Sequence, residues 1–320
     1  MLKAGVLGAG HLGKIHLKLL QQSSAYELVG FFDSNAAAAE AIEKEFGYKR
    51  FPTMEALINA CDMVDVVTPT LHHFECAKKV IKAGKHLFIE KPITNTVEEA
   101  NIIRDLAKEY KVRGQVGQVE RFNPAFLAIK NKIKNPLFIE AHRLAEFNPR
   151  GTDVSVVLDL MIHDIDAILS VVDSEVTAIH SGGVAVISET PDIANARIEF
   201  ANGCVANLTA SRISMKSMRK VRFFQKDAYI SVDFLEKKCE VVKMKDAPEN
   251  PEDFAMILTN AEGVKKQIYF NNPEVEQNNA ILDELEAFAH SIHTDTVPVV
   301  SLTQGAEALR VAMKIIENFK

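Results

Sequence analysis

Residues 159–166 read DLMIHDID, which sets three carboxylates and one imidazole in a run of Leu, Met and Ile. On a helix, Asp159 and His163 are four apart and Asp166 is three beyond His163, so these three share roughly one face. Asp164 points about 100° away from His163. A zinc site needs three or four tetrahedral ligands; this helix offers two or three, with no cysteine or second histidine cluster obviously at hand. The adjacent His72 and His73 diverge and do not help, so no metal is expected. A polar helix face with one satisfied histidine needs no ligand, and standing alone the segment reads that way. An imidazole with an unperturbed pKa of about 6.5 also suits a general base near neutral pH. The rest of the chain decides between these readings.

Near the start, Gly8-Ala9-Gly10-His11-Leu12-Gly13 is G-x-G-x-x-G, placed after an apolar strand and opening a helix. The first glycine permits a tight turn, the second lets a pyrophosphate approach the backbone, and the third allows close packing of helix on strand. Twenty residues after Gly13, the run ELVGFF ends in Asp33, a carboxylate placed to accept hydrogen bonds from ribose hydroxyls. An acid there repels the 2′-phosphate of NADP, and Ser34 and Asn35 bring no arginine to offset it. NAD is therefore the expected cofactor, with NADP disfavoured. A dinucleotide site in turn needs a base to take a hydroxyl proton as hydride leaves, which favours the third reading of DLMIHDID.

The run AGKHLFIEKP puts Glu90-Lys91-Pro92 at the end of a buried strand, the edge of a parallel sheet where ligands bind. Lysine is an uncommon end to a core strand, and the proline after it fixes the local backbone. From residue physics alone, a surface lysine and a functional one stand level.

Four pieces together, VLGAGHLG, VVTPTLHHFECAKKVIKAGKHLFIEKPIT, QVGQVERFNPAF and the helix with DLMIHDID, cover most of the chain. They resemble the glucose-fructose oxidoreductase and inositol dehydrogenase (Gfo/Idh/MocA) family of NAD(P)-dependent sugar dehydrogenases. The resemblance implies that Lys91, with Glu90, lies beside nicotinamide and substrate. The T-P-x-x-x-H segment then places Thr68, Pro69, Thr70 and His73 near the cofactor. The family's D-x-x-x-H pattern falls on Asp159 and His163. It implies that His163 is the general base, that Asp159 orients it or binds a sugar hydroxyl, and that Lys91 polarises the reacting oxygen. Many members carry glycines just before this helix, whereas Ser155, Val156 and Val157 stand here, so the substrate cleft is expected to differ in shape.

Within the family, VERFNPAF and PRGTDVSVVLDLMIHDID look most like the branch of UDP-N-acetylglucosamine 3-dehydrogenases. Arg121, Asn123 and Arg150 then join the expected substrate ligands, and an arginine pair can bind a diphosphate bidentately. Ordinary surface charge explains either arginine equally well. The reaction implied is oxidation of the C3 hydroxyl of a nucleotide sugar. A free sugar or inositol dehydrogenase is the alternative within the same chemistry, and a reductase for biliverdin-like or dihydrodiol substrates is a third. From another class comes a redox sensor that holds NAD and turns nothing over.

These residues must be positioned by elements legible in the sequence. The first 120 residues alternate short apolar runs with amphipathic stretches, which predicts a parallel sheet with right-handed helical crossovers, an N-terminal Rossmann domain. After Arg121 the pattern changes: residues 154–172 form a long apolar helix, several strand-like runs fill 176 to about 244, and two helices close the chain. The expectation is α/β overall, a dinucleotide-binding domain over 1–120 and an α+β domain over 121–320. The resemblance implies that the second holds a large open mixed, mainly antiparallel sheet, one face of which joins copies into a homodimer or homotetramer.

Composition excludes other classes. With 320 residues, 47% hydrophobic and 25% charged, the chain is long enough for two cores and too apolar for disorder. A net charge of −6 gives no general attraction for nucleic acid, and the basic run at 212–222 reads as strand and turn surface. The four cysteines are scattered without a CxxC pair, which fits a reducing cytoplasm. The N-terminus has too short an apolar stretch for a signal peptide, and no run of 18 apolar residues offers a membrane span.

Overall fold

The computed structural model describes residues 1–148, 154–248 and 256–319. The chain divides into two compact units, Met1–Phe122 with Asn279–Met313, and Asn123–Asn278 with Lys314–Lys320. The boundary near residue 121 is where the sequence pattern changes. The two closing helices differ from expectation: most of their length belongs to the first unit, whereas the sequence reading assigned all of 121–320 to the second domain.

In the first unit, β1 (Leu2–Leu7), α1 (His11–Gln22), β2 (Tyr26–Phe32), α2 (Ala36–Phe46), α3 (Met54–Ala60), β3 (Met63–Val66), α4 (His73–Lys82), β4 (His86–Glu90), α5 (Val97–Glu109) and β5 (Gly114–Gly117) alternate as predicted. The strands are all parallel in the order β2-β1-β3-β4-β5. A single parallel bridge, Phe31↔Arg50, extends the β2 edge. Counting that bridge as a vestigial strand gives the 3-2-1-4-5-6 order of a doubly wound dinucleotide fold, with its switch point between β1 and β3. Strands covered on both faces need continuous apolar runs, and β3 is buried throughout and β1 from Ala4 to Leu7. Helix ends are set locally. Asn35 caps α2 through the Ala38 amide, and Thr96 and Glu99 make a reciprocal capping box on α5.

The second unit opens with α6 (Pro124–Ile129), capped by Asn123, and β6 (Phe138–Leu144). A π-helical turn, Val157–Met161, then runs into α7 (Ile162–Leu169). The expected 154–172 helix is thus shorter and begins with a widened turn. Strands β7 (Val176–Val184), β8 (Ile193–Phe200), β9 (Val205–Ser211), β10 (Met218–Gln225), β11 (Ala228–Asp233), β12 (Lys238–Asp246), β13 (Met256–Thr259) and β14 (Lys265–Asn271) complete a nine-stranded sheet with β6. Its order is β13-β14-β12-β11-β10-β6-β9-β8-β7, antiparallel except for β6 beside β9. Strict alternation gives the sheet two characters. Ile139, Ala141, Ala206, Leu208, Val221, Phe223, Ile230 and Val232 point into the core, where α6 packs on β11 and β12 and the π turn on β9. Of the 212–222 run, Lys220 pairs with Asp233 and Arg222 with Glu140 on the open face, where surface charge was expected, whereas Arg212 is buried beside Asp192.

The chain returns to the first unit through α8 (Ala280–His293), and α9 (Leu302–Glu317) belongs to it as far as Met313. Leu285, Phe288 and Ala289 of α8 complete a core with Leu17, Leu20, Phe31 and Phe88. The Tyr26 hydroxyl donates to the Leu285 carbonyl at 2.6 Å, tying β2 to that helix.

Candidate active site

At the carboxyl ends of β1, β3 and β4 the first unit carries a cleft of about 660 Å³. Its lining includes Gly8, Gly10, His11, Leu12, Asp33, Thr68, Pro69, Thr70, His73, Glu90 and Lys91. Every residue expected at the cofactor except Gly13 therefore lies on one cavity wall, with Lys91 among them.

The glycine loop has the shape the motif requires. Gly8 sits at φ +93°, where a side chain is strained, and a Cβ there would lie 2.8 Å from the Val67 carbonyl oxygen. Gly13 is buried instead in the helix–strand contact: its Cβ would fall 2.1 Å from the Gly8 oxygen. At Gly10 nothing lies within 4 Å of the Cβ position, which leaves open space above the N-terminus of α1. Gly10 caps that helix with no side-chain hydrogen bond, so its first amides remain directed at the cleft. Asp33 accepts the Ala9 amide at 2.7 Å through Oδ2 and the Asn35 amide at 2.8 Å through Oδ1. Each oxygen keeps a second lone pair for a hydroxyl. Open loop, helix N-terminus and acceptor at the end of β2 together fit an adenine dinucleotide.

His73 is 1% exposed and serves the cleft as a clamp. Its Nδ1 lies 2.9 Å from the Pro92 carbonyl and its Nε2 2.8 Å from the Thr68 carbonyl, joining the loop after β3 to the Lys91-Pro92 segment, whose peptide bond is cis. Burial lowers its pKa, although both carbonyls pull the other way.

Behind Lys91 lies a cluster that sequence reasoning missed. His16 of α1 is fully buried, with Nδ1 2.8 Å from Asp65 Oδ2 and Nε2 3.4 Å from Glu90 Oε1. Glu90 Oε2 in turn accepts the Lys91 backbone amide at 3.2 Å. Burial acts to lower the His16 pKa, but the two carboxylates outweigh it and raise the value well above the ordinary 6.5. Burial raises that of Asp65, opposed by His16. The ring lies between two carboxylates, which favour its protonated form.

In the second unit, Asp159 lies in the π turn and His163 in the first turn of α7, both half-buried. The Ile162 amide reaches the Val157 carbonyl, the five-residue closure that widens this turn. Asp164 is 2% exposed and takes a bidentate contact from Arg143 of β6, with Nη2 to Oδ1 at 2.8 Å and Nε to each carboxylate oxygen at 3.1 Å. Asp166 is also buried. The octapeptide thus separates: Asp164 fixes the helix to the sheet, and Asp159 and His163 stay partly accessible. Among the described residues, no group of three His, Cys, Asp or Glu is placed to hold a metal ion.

Asn123, expected among the substrate ligands, has a structural use. Its Oδ1 accepts the Ala125 amide to cap α6, and its Nδ2 donates to the Phe234 carbonyl at 3.0 Å. Arg121 is buried, and Arg150 lies outside the described residues.

Comparison with known proteins agrees with this arrangement. Residues 2–118 match the profile of the oxidoreductase family with an NAD-binding Rossmann fold, and residues 107–230 match the GFO/IDH/MocA C-terminal domain. The chain is 39% identical over 235 residues to UDP-N-acetylglucosamine 3-dehydrogenase of Acidithiobacillus ferrooxidans, covering 73% of this chain and 74% of that protein. It is 29% identical to scyllo-inositol 2-dehydrogenase (NAD(+)) of Bacillus subtilis, over 66% of this chain and 68% of that one. A solved structure of the Acidithiobacillus ferrooxidans enzyme superposes with a TM-score of 0.89 at 31% identity, over 99% of this chain and 97% of that chain.

Proposed function

Because the chain belongs to the GFO/IDH/MocA family of NAD-binding oxidoreductases, we propose that it oxidises the C3 hydroxyl of a nucleotide-linked amino sugar such as UDP-N-acetylglucosamine. The observation that carries the substrate is the 39% identity, over 73% of the chain, to a protein named for that reaction.

When bound, NAD supplies the hydride acceptor. The chain's own residues do the rest. The first amides of α1 hold the pyrophosphate and Asp33 the adenosine ribose. Lys91 donates to the reacting oxygen and stabilises charge that builds there as the proton departs. His163 takes the hydroxyl proton on its imidazole, and Asp159 orients it or binds a neighbouring hydroxyl. Arg121 and Arg150 hold the diphosphate, a role that Asn123, occupied as a helix cap, is poorly placed to share.

The test is NADH formation with UDP-N-acetylglucosamine against N-acetylglucosamine, glucose and inositols, paired with a thermal-shift screen in the presence of NAD, since a ligand bound only to the folded state raises apparent stability. Turnover on the nucleotide sugar with kcat/KM at least tenfold above the free sugars is expected. The identity to scyllo-inositol 2-dehydrogenase favours the second reading, a free sugar or inositol dehydrogenase. That reading wins if inositol or a free sugar is the better substrate and Arg121→Ala leaves kcat/KM unchanged.

We also assign the open face of the nine-stranded sheet as the contact that builds a homodimer or homotetramer. Its exposed Phe270 and Met244 near the β13 edge support that reading. Light scattering on the eluted protein tests it, and a monomer at micromolar concentration overturns it. A cytoplasmic location is proposed from the four free, buried cysteines, and among the described residues no helix is long and apolar enough to cross a membrane.

A further inference from the structure

We propose that His16 and Asp65 are positioning residues for the reaction, a buried anchor that holds the Glu90 carboxylate in place and through it sets the state of the Lys91 ammonium. The inference rests on Lys91 acting as described above.

The geometry has four parts. Asp65 is wholly buried in the middle of β3, a place where a carboxylate is costly without a partner. Its Oδ2 meets His16 Nδ1 at 2.8 Å, and the opposite ring nitrogen faces Glu90 Oε1 at 3.4 Å. Glu90 is the last residue of β4 and lines the cleft beside Lys91. On its far side the carboxylate lies against Gly117, where a Cβ would come within 2.5 Å of Oε1. Glu90 is therefore held by the imidazole, by the Lys91 backbone amide and by the bare backbone of β5.

A neutral imidazole cannot serve this arrangement, because with Nδ1–H directed at Asp65 its Nε2 lone pair would face the Glu90 oxygen. A protonated ring donates to Asp65 and presents its second N–H to the Glu90 carboxylate, an ion-pair contact at 3.4 Å. The anchor then carries one positive charge between two negative ones, leaving net negative charge directly behind the Lys91 backbone in a medium that screens poorly. Glu90 and Lys91 line the same cleft, and a fixed carboxylate there favours the charged form of an amine in it. Asp65 has no exposed surface, so the chain ends inside the protein and acts as a support, not as a path for protons to solvent. His16 sits on α1 six residues after Gly10, and the same ring therefore ties the helix that opens at the glycine loop to the strand that ends at Lys91.

Three variants separate positioning from simple core damage. In His16→Gln the amide nitrogen falls near the position of Nε2 and keeps a donor facing Glu90. In His16→Asn it falls near Nδ1 and keeps only Asp65. Glu90→Gln removes the charge at the cleft with little change of shape. The readout is Lys91 acylation by acetic anhydride, followed by peptide mass spectrometry on the whole protein without substrate, alongside NADH binding by fluorescence. We expect Lys91 to label several-fold faster in His16→Asn and in Glu90→Gln, and within twofold of wild type in His16→Gln. Equal labelling in all four proteins overturns the proposal, as does faster labelling in His16→Gln alone. Should His16→Asn fail to fold, the comparison of Glu90→Gln with His16→Gln carries the same decision. Because no sugar is present, a wrong substrate shows only in the turnover assays and leaves this result standing. Where turnover is measured, the anchor predicts that kcat falls in His16→Asn while the NADH dissociation constant stays within about threefold.

Discussion

Asp33 Oδ2 accepts the backbone amide of Ala9 at 2.7 Å, so the acid at the end of β2 braces the glycine loop while lining the same cleft. Charge-assisted hydrogen bonds contribute about 1.5–3 kcal/mol each, equivalent to roughly 10- to 100-fold in binding. Asp33→Ser is expected to weaken NADH binding by that factor, measured by fluorescence titration. Asp33→Ser combined with Ser34→Arg is expected to invert the preference toward NADPH, because the repelling carboxylate is gone and a guanidinium faces the 2′-phosphate. Unchanged NADH affinity in Asp33→Ser would remove the carboxylate from the cofactor site.

The Arg143–Asp164 pair is nearly sealed from solvent, with side chains 3% and 2% exposed. Removing one partner of a buried ion pair leaves an uncompensated charge and costs about 3–5 kcal/mol, whereas replacing both with apolar groups is often neutral. Arg143→Met is therefore expected to lower the urea midpoint sharply, and Arg143→Met/Asp164→Leu to recover most of the loss. Since this pair fixes α7, the single variant should also lose turnover in proportion, even though neither residue is assigned to substrate. A single variant no less stable than the double would show that the pair does not hold the helix.

Much of this was legible because some requirements are local. The glycine loop and Asp33 depend on residues within one strand–turn–helix, whereas Lys91, level between surface and functional readings from its strand-end position, is singled out by the family resemblance. Longer-range features were not. Asp65 in MVDV was readable in principle as a carboxylate in a fully covered strand, and His16 lies on the buried face of α1 with Leu17 and Leu20; a partnership between them follows only once β1 and β3 are known to be neighbours. The amphipathic pattern of α8 shows a face to bury without naming the core that takes it, which the structure places with Leu17, Leu20, Phe31 and Phe88. No residue type announces the π turn at Val157–Met161.

The two buried histidines predict opposite pH dependences. His16 is raised in the folded protein, so the unfolded chain releases its proton first as pH rises. Its stabilisation is complete below the unfolded value of about 6.5 and is lost as pH climbs through the folded one. His73 is lowered, so its contribution is present above about pH 6.5 and disappears on acidification. Urea midpoints for wild type and His16→Gln should therefore differ most near pH 6 and converge toward alkaline pH. A gap between the two that is constant from pH 6 to 10 would mean that His16 does not change its protonation on unfolding.

Lys91 and His163 are assigned different tasks, and single substitutions should show different signatures. Lys91 lines the dinucleotide cleft, so Lys91→Met removes a donor to the reacting oxygen and also a cleft wall. A fall in kcat with some loss of NADH affinity is expected. His163 belongs to α7 of the second unit and is not among the residues that line that cleft. His163→Asn is expected to lower kcat by about 10²- to 10⁴-fold, the usual worth of general acid–base catalysis, with the NADH dissociation constant unchanged. A base must be unprotonated to accept the hydroxyl proton. The wild-type kcat should therefore fall on the acid side, and that limb should flatten in His163→Asn because the residual reaction no longer depends on the imidazole. A steady-state pH series on both proteins reads this directly. Activity that survives His163→Asn with its acid limb intact would move the base elsewhere and favour a reductase on the same scaffold, one whose substrate needs no helical histidine.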